Sequence, residues 1–259
     1  MTAAGEVLVP VTGLCAVASY PEEVYERYVL RRAPAPVPPM ITGDLEHKSR
    51  KNLVEDLQLV YLKVRDSEDL RAAYQCIGPA VEKAALECER TYGALFPNPR
   101  LAAGELVNRL RIEEDARVAA AENLLMDGVD GVDLIRQILP SKVEVALQSY
   151  SLGLIGRVDA IAESCGQQFP IEYKTGRDSS VIGSRAHEIQ VAAYCMLMEE
   201  EMESQCRYGE IYYTRYFTRK PVLVGPKSKR MVLALRAQFL KLCSDLPAEV
   251  APILEVSHV

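Results

Sequence analysis

"LIGRVDAIAESCGQQFPIEYKTGR", residues 154–177, decides how this chain is read. Two apolar runs flank the segment "CGQQ", 165–168, which reads as a hairpin loop. Each run carries polar residues inside what otherwise looks like a buried strand: Asp159 in the first, Glu172 and Lys174 in the second. Residues two apart on a strand face the same way. Glu172 and Lys174 therefore project from one face, and Ile171 and Tyr173 from the other. If the two strands are adjacent and antiparallel, Asp159 can lie across from Glu172. Two ionised carboxylates that close repel, and leaving both charged is costly without a cation. A divalent metal resolves the cost, and hard oxygen ligands favour Mg²⁺ or Mn²⁺. Lys174 would then orient or deprotonate a water, or stabilise charge developing on a phosphate. The competing reading puts all three on the solvent face of half-buried strands.

Outward from this stretch, the pattern changes period. Residues 142–151, "KVEVALQSYS", alternate as a strand, and so do 152–164. Residues 169–176 form a third strand, 184–203 a helix, 208–225 a β-rich segment containing a hairpin, and 226–243 a final amphipathic helix. The first half is largely helical. Residues 20–32 read as a short helix, 33–39 ("APAPVPP") as a stiff connector, and 43–90 and 105–125 as helices. Residues 92–104 break the helical pattern, and 126–134 are rich in turn residues. The order predicts an α/β fold with a helical N-terminal elaboration. We divide it into a mainly helical part, 1–137, and a core, 138–259, within one integrated domain.

The chain has 259 residues, 49% of them hydrophobic and 25% charged, ordinary for a globular protein. No apolar run reaches membrane-spanning length, so no membrane partner is expected, and a cytoplasmic location is the default. Seven cysteines at wide spacing, without a CxxC, argue against a disulfide framework or a local zinc knuckle. The net charge of −6 hides a segregation. Between 211 and 244 there is no Asp or Glu, and eight basic residues occur there, among them Arg215, Arg219, Lys220, Lys227, Lys229 and Arg230. That is the electrostatic footprint expected for phosphates, or else a solvated basic face. Tyr212, Tyr213, Tyr216 and Phe217 in the same window are available for stacking on bases.

Further residues join the acids. Gly156 stands three before Asp159, and glycine in a strand marks close approach of another group. Gln190 and Tyr194 are spaced i, i+4 on one helix face, and Gly43 and His47 likewise. GxxxH, GxxD, ExK and QxxxY, in this order, resemble the motifs of RecB-type nucleases of the PD-(D/E)XK superfamily. Within that group, "SKVEVALQSYSLGLIGRVDAI" and "PIEYKTG" look most like the core strands of CRISPR-associated RecB-like exonucleases. The resemblance spans roughly residues 20–240.

The resemblance implies a restriction-endonuclease-like core, a mixed central sheet flanked by helices. It implies that His47, Asp159, Glu172 and the Tyr173 carbonyl hold Mg²⁺ or Mn²⁺. Lys174 would serve the attacking water, and Gln190 and Tyr194 would contact DNA or steady the site. Glu144 is either an auxiliary acid or a surface glutamate. The implied reaction is hydrolysis of DNA phosphodiesters, as an exonuclease on single-stranded ends during CRISPR spacer acquisition, beside an integrase complex. A RecB-type repair nuclease, or a DNA-end-binding module with weak or no cleavage, are the alternatives. Members of the CRISPR-associated group usually hold an iron–sulfur cluster. Here Tyr20 precedes Pro21 where a Cys-Pro is expected, and residues 245–259 contain no cysteine. The cluster is therefore expected to be absent, although Cys15, Cys206 and Cys243 could replace its ligands.

Overall fold

The computed structural model describes residues 7–32, 34–96, 98–176, 182–203 and 205–244. Among these residues a six-stranded mixed sheet forms the centre. Its strands are β1 (Val9–Pro10), β2 (Lys142–Ser149), β3 (Leu154–Ser164), β4 (Gln167–Lys174), β5 (Tyr208–Tyr213) and β6 (Thr218–Leu223). The helices are α1 (Val11–Ser19), α2 (Pro21–Val24), α3 (Pro38–Tyr61), α4 (Ala72–Tyr92), α5 (Pro99–Met126), α6 (Gly131–Ile138), α7 (Arg185–Met202) and α8 (Pro226–Ser244).

β3 organises the sheet. Leu154 and Ile155 pair with β2 on one side and, in parallel, with β1 on the other. Ala160 pairs with Val143 of β2 and with Ile171 of β4. β1 and β4 thus share one edge of β3, β1 at its start and β4 at its end. Between them, at residues 156–159, that edge has no strand partner among the described residues. β4 leads through α7 to the parallel strand β5, a β-α-β unit, and β6 closes the sheet antiparallel.

Helices cover both faces, and each layer has its own core. α7 is buried continuously from Ile189 to Met198, because α1 and α8 cover the sides that the sheet does not. On the other face, α3, α4, α5 and α6 bury Ile41, Leu57, Tyr61, Ile77, Leu110 and Leu134. Ala160, Ile171, Tyr173 and Tyr212 form a small apolar patch on the sheet itself. Arg50 of α3 lies over Tyr173 and Tyr212, 5.0 and 5.5 Å from their ring centroids, and ties that helical layer to the sheet.

The fold is the expected α/β one, with local corrections. The connector 33–39 is shorter, because Pro38 and Pro39 open α3, where a missing N–H costs nothing. α5 starts at Pro99 rather than 105, for the same reason, after Asn98 in the left-handed region. The turn-rich stretch 126–134 contains the start of α6, an amphipathic helix that buries Leu134. The hairpin loop shrinks from four residues to Cys165 and Gly166, both at positive φ, and Gln167 and Gln168 pair with Ser164 and Glu163. β1 and α1 were not anticipated.

Candidate metal and catalytic centre

The register of the sheet brings the acids together. Continued by one residue, the β3–β4 pairing sets Asp159 opposite Glu172. The β2–β3 pairing sets Glu144 opposite Asp159, between the pairs Val143–Ala160 and Val145–Val158. Glu144 itself has φ 51°, a left-handed conformation inside a strand, and the ladder skips it. Three carboxylates thus form one row across β2, β3 and β4. His47 reaches the row from α3. Its Nδ1 is 3.2 Å from Asp159 Oδ1 and 3.9 Å from Glu144 Oε1. α3 can approach because residue 43 is glycine. A Cβ there would stand 3.0 Å from the Thr175 hydroxyl at the end of β4.

One donor atom from each of His47, Glu144 and Asp159 lies within 4.8 Å of the other two. Asp159 is held from behind, since its Oδ2 accepts the Tyr173 N–H at 2.6 Å. Glu172 is outside that tight group and is 5% exposed. Its Oε1 accepts from the Lys174 ammonium at 2.8 Å, while its Oε2, buried, has no hydrogen-bond partner among the described residues. Lys174 also donates to Gln190 Oε1 at 2.6 Å, and Gln190 Nε2 donates to the Tyr194 hydroxyl at 3.2 Å. Tyr194 packs on Gly156. A Cβ at 156 would lie 2.8 Å from the tyrosine ring and 2.9 Å from Val11. The close approach at this glycine is thus made by side chains of the same chain.

The electrostatics follow from burial and crowding. Burial pushes the Glu172 carboxyl up, the charge of Asp159 adds to it, and Lys174 only partly offsets both, leaving it at about 7. Glu144 is raised by the same two causes. Burial alone would lower His47, but Asp159 outweighs it and the imidazole rises to about 9. Lys174 likewise stays above its ordinary value, because Glu172 overrides the cost of burial. The three carboxylates face His47, Lys174 and Arg157, the last 3.8 Å from Glu144, and one buried carboxylate oxygen of Glu172 is left without a hydrogen-bond partner among the described residues.

The predicted residues are not all gathered here. Arg219 pairs with Glu210 at 2.8 Å and covers the Tyr212 ring, while Lys220, next along β6, turns to Glu188 of α7 at 2.7 Å. The two point to opposite faces of the sheet. Lys229 pairs with Glu199, Arg215 donates to the Thr175 carbonyl at 2.9 Å, and Lys227 and Arg230 are exposed near the start of α8. Tyr212 and Tyr213 are core residues, 5% and 2% exposed, and so are closed to the base stacking expected of them, while Tyr216 is half-buried and Phe217 exposed. Cys15, Cys206 and Cys243 lie in three separate places. The Cys15 thiol donates to the Ala186 carbonyl at 3.5 Å, the Cys206 thiol reaches the Tyr208 carbonyl at 3.5 Å, and Cys243 is buried in α8. Two contacts beside the site were not expected from the sequence. Cys15 sits 3.9 Å from Gln190 Oε1, and His187 hydrogen-bonds Tyr213. No local pattern in the sequence announces either contact. A groove of about 1200 Å³ lies between α3, α5, α6 and the sheet, but Glu144, Asp159, Glu172, His47 and Lys174 do not line it.

A family model described as the PD-(D/E)XK nuclease superfamily matches residues 25–257. No curated protein matches the chain. The solved structure described as "Crystal structure of SSO0001" is 16% identical over 63% of this chain and 72% of its own, with a TM-score of 0.31, too loose a likeness to bear on the fold or the site.

Proposed function

The chain belongs to the PD-(D/E)XK nuclease superfamily, and from that premise we propose that it is a Mg²⁺- or Mn²⁺-dependent deoxyribonuclease that degrades DNA from single-stranded ends. The observation that carries this reading is the row Glu144–Asp159–Glu172 with His47 beside it and an orphaned buried oxygen on Glu172. A buried carboxylate oxygen without a partner is costly, and a hard cation suits that oxygen and the oxygen-rich donor set. His47, Glu144, Asp159 and Glu172 would hold the ion, with the Tyr173 carbonyl as a further donor. Bound there, a divalent ion supplies a Lewis acid for the scissile phosphate and the attacking water.

The chain's own residues supply the rest. Lys174, kept charged by Glu172 and aimed by Gln190, is suited to stabilising the charge that builds on the phosphate when water adds to phosphorus. Its raised pKa favours that role over deprotonating the water. Tyr194 fixes the Gln190 amide, so the lysine has one position rather than several. Hydrolysis then breaks the P–O bond to the leaving nucleotide, whose oxygen takes a proton.

The motif order shared with CRISPR-associated RecB-like exonucleases supports a role in trimming single-stranded ends before spacer integration, beside an integrase complex. Glu172→Ala and Lys174→Ala are each expected to abolish metal-dependent degradation of end-labelled single-stranded DNA while the circular dichroism spectrum is kept. Wild-type activity in both variants would overturn the assignment.

A further inference from the structure

The strands that carry Glu144 and Asp159 leave one sheet face open beside them. Across β2 and β3, Ala146 pairs with Arg157, and Gln148 with Ile155. Residues opposite each other, or two apart on one strand, share a face, so these four form one strip. On the other face Leu147, Leu154 and Val158 lie in the core beneath α7. Ala146, Gln148 and Arg157 are exposed and Ile155 is half-buried, so the strip is not closed over by the described helices. It runs up to the row of acids, with Ala146 two residues after Glu144 and Arg157 two before Asp159. Val158 and Ile161 both belong to the core beneath α7, so Arg157 and Ala160 share the opposite face. Ala160 is already under the helical layer, in the patch with Tyr173 that Arg50 of α3 covers. The acids therefore stand where the helical layer ends and the open face begins. The Glu144 carboxylate has one oxygen 3.9 Å from His47 Nδ1 and the other 3.8 Å from Arg157 Nη1, and the Arg157 side chain is 55% exposed. Lys51, exposed one turn after His47 on α3, joins Arg157 in offsetting the charge crowding on Glu144. The strip itself carries no acid.

We propose that the substrate strand lies along this strip where it meets the row of acids, with Arg157 holding one of its phosphates. This rests on the phosphodiester-cleaving reading above. The strip is continuous with the acids, open to solvent and positive in charge, which suits a phosphate backbone. A guanidinium presents its N–H groups in a planar fork that matches two oxygens of one phosphate. The ion pair with Glu144 is longer than a hydrogen bond and keeps that fork beside the row. The contact forms in the bound strand, so it acts on affinity more than on turnover.

The experiment compares wild type, Arg157→Gln, Arg157→Lys, Gln148→Glu and, as a control on the exposed side of α4, Gln75→Glu. The dissociation constant for single-stranded DNA is measured in EDTA over a series of salt concentrations, and KM and kcat with Mn²⁺. Arg157→Gln should raise Kd and KM roughly tenfold with kcat nearly unchanged. It should also make the slope of log Kd against log salt shallower by about 0.7, the share of one phosphate on a single strand. Arg157→Lys should keep the slope and lose only part of the affinity. Gln148→Glu sets a negative charge on the strip and should weaken binding, whereas Gln75→Glu should not. The rise in melting temperature on adding Mn²⁺ should be equal in wild type and Arg157→Gln. Unchanged Kd and slope in Arg157→Gln would overturn the proposal. So would weaker binding with an unchanged slope and a smaller Mn²⁺ effect, which would mean that Arg157 acts only through Glu144. Equal effects of the two glutamate substitutions would overturn the path along the strip. A wild type that binds DNA without cutting it, with the slope reduced in Arg157→Gln, would support the contact while removing the nuclease reading. A wild type that neither binds nor cuts would remove both.

Discussion

Glu172 has two oxygens in different circumstances. One is bonded to Lys174, and the other is buried without a partner. Together with His47 it makes the metal-free site sensitive to pH. Glu172 rises from 4.5 to about 7, and His47 from 6.5 to about 9. A group whose pKa is raised in the folded state binds its proton more tightly there. Its stabilisation is full below the unfolded value and is lost as pH climbs through the folded one. In EDTA the melting temperature should therefore fall between about pH 5 and pH 9, and the fall should be shallower in Glu172→Gln. Added Mn²⁺ should raise it most at the alkaline end, where its ligands are already deprotonated. A melting temperature that is flat or rising over this range in EDTA would contradict the account. At this scale the sequence was legible where period decides: alternation put Glu172 with Lys174 on one face, while setting Asp159 across from Glu172 needed the further assumption of an antiparallel hairpin, whose two-residue turn fixes the register. Glu144 stayed ambiguous because its place depends on a left-handed backbone at one residue, which no pattern of neighbours dictates. His187 escaped because its partner, Tyr213, is 26 residues away.

Among the elements, the shared edge of β3 matters most. β1 and β4 leave a gap at 156–159, and Tyr194 and Val11 pack against Gly156 there. Gly156→Ala should push α7, and with it Gln190 and Lys174, off position. Overpacking of this kind costs typically about 1–3 kcal/mol, or roughly 2–10 °C in melting temperature for a chain of this size. Differential scanning calorimetry with a parallel activity assay would check it. A variant as stable and as active as wild type would show that the contact does not position the lysine. The long elements α7 and β3 were readable, whereas α3 and α4 ran together as one helical stretch, 43–90, across the break between Tyr61 and Ala72. β1 and α1 were not readable. A strand of two residues has no period, and α1 is apolar enough to read equally as strand or core helix. α6 was hidden by the Gly and Asp residues that begin it.

For the whole molecule, the question is what keeps His47, carried by the helical layer, against acids carried by the sheet. The Arg50 guanidinium bonds Glu46 at 2.9 Å and Glu113 at 2.7 Å and lies over Tyr173 and Tyr212, while Arg109 bonds Glu46 at 2.6 Å. Glu46 is 1% exposed. Removing one partner from a buried ion pair costs roughly 3–5 kcal/mol, because the other charge is left unpaired. Glu46→Leu should lose about that much in urea unfolding, and a loss near zero would show the layers are held by apolar contact alone. This network was invisible in the sequence, where its members are spread from 46 to 113. The basic window 211–244 was visible as charge, but folding divides it between two faces of the sheet and commits Arg219, Lys220 and Lys229 to acids. The central claim is that the row of acids and His47 holds a metal used to cleave DNA. It is tested most directly by incubating end-labelled single-stranded DNA with wild type and Asp159→Ala in Mn²⁺, Mg²⁺ or EDTA. The account predicts progressive release of nucleotides by wild type with either metal, none in EDTA and none from Asp159→Ala; cleavage that survives EDTA or the loss of Asp159 would contradict it.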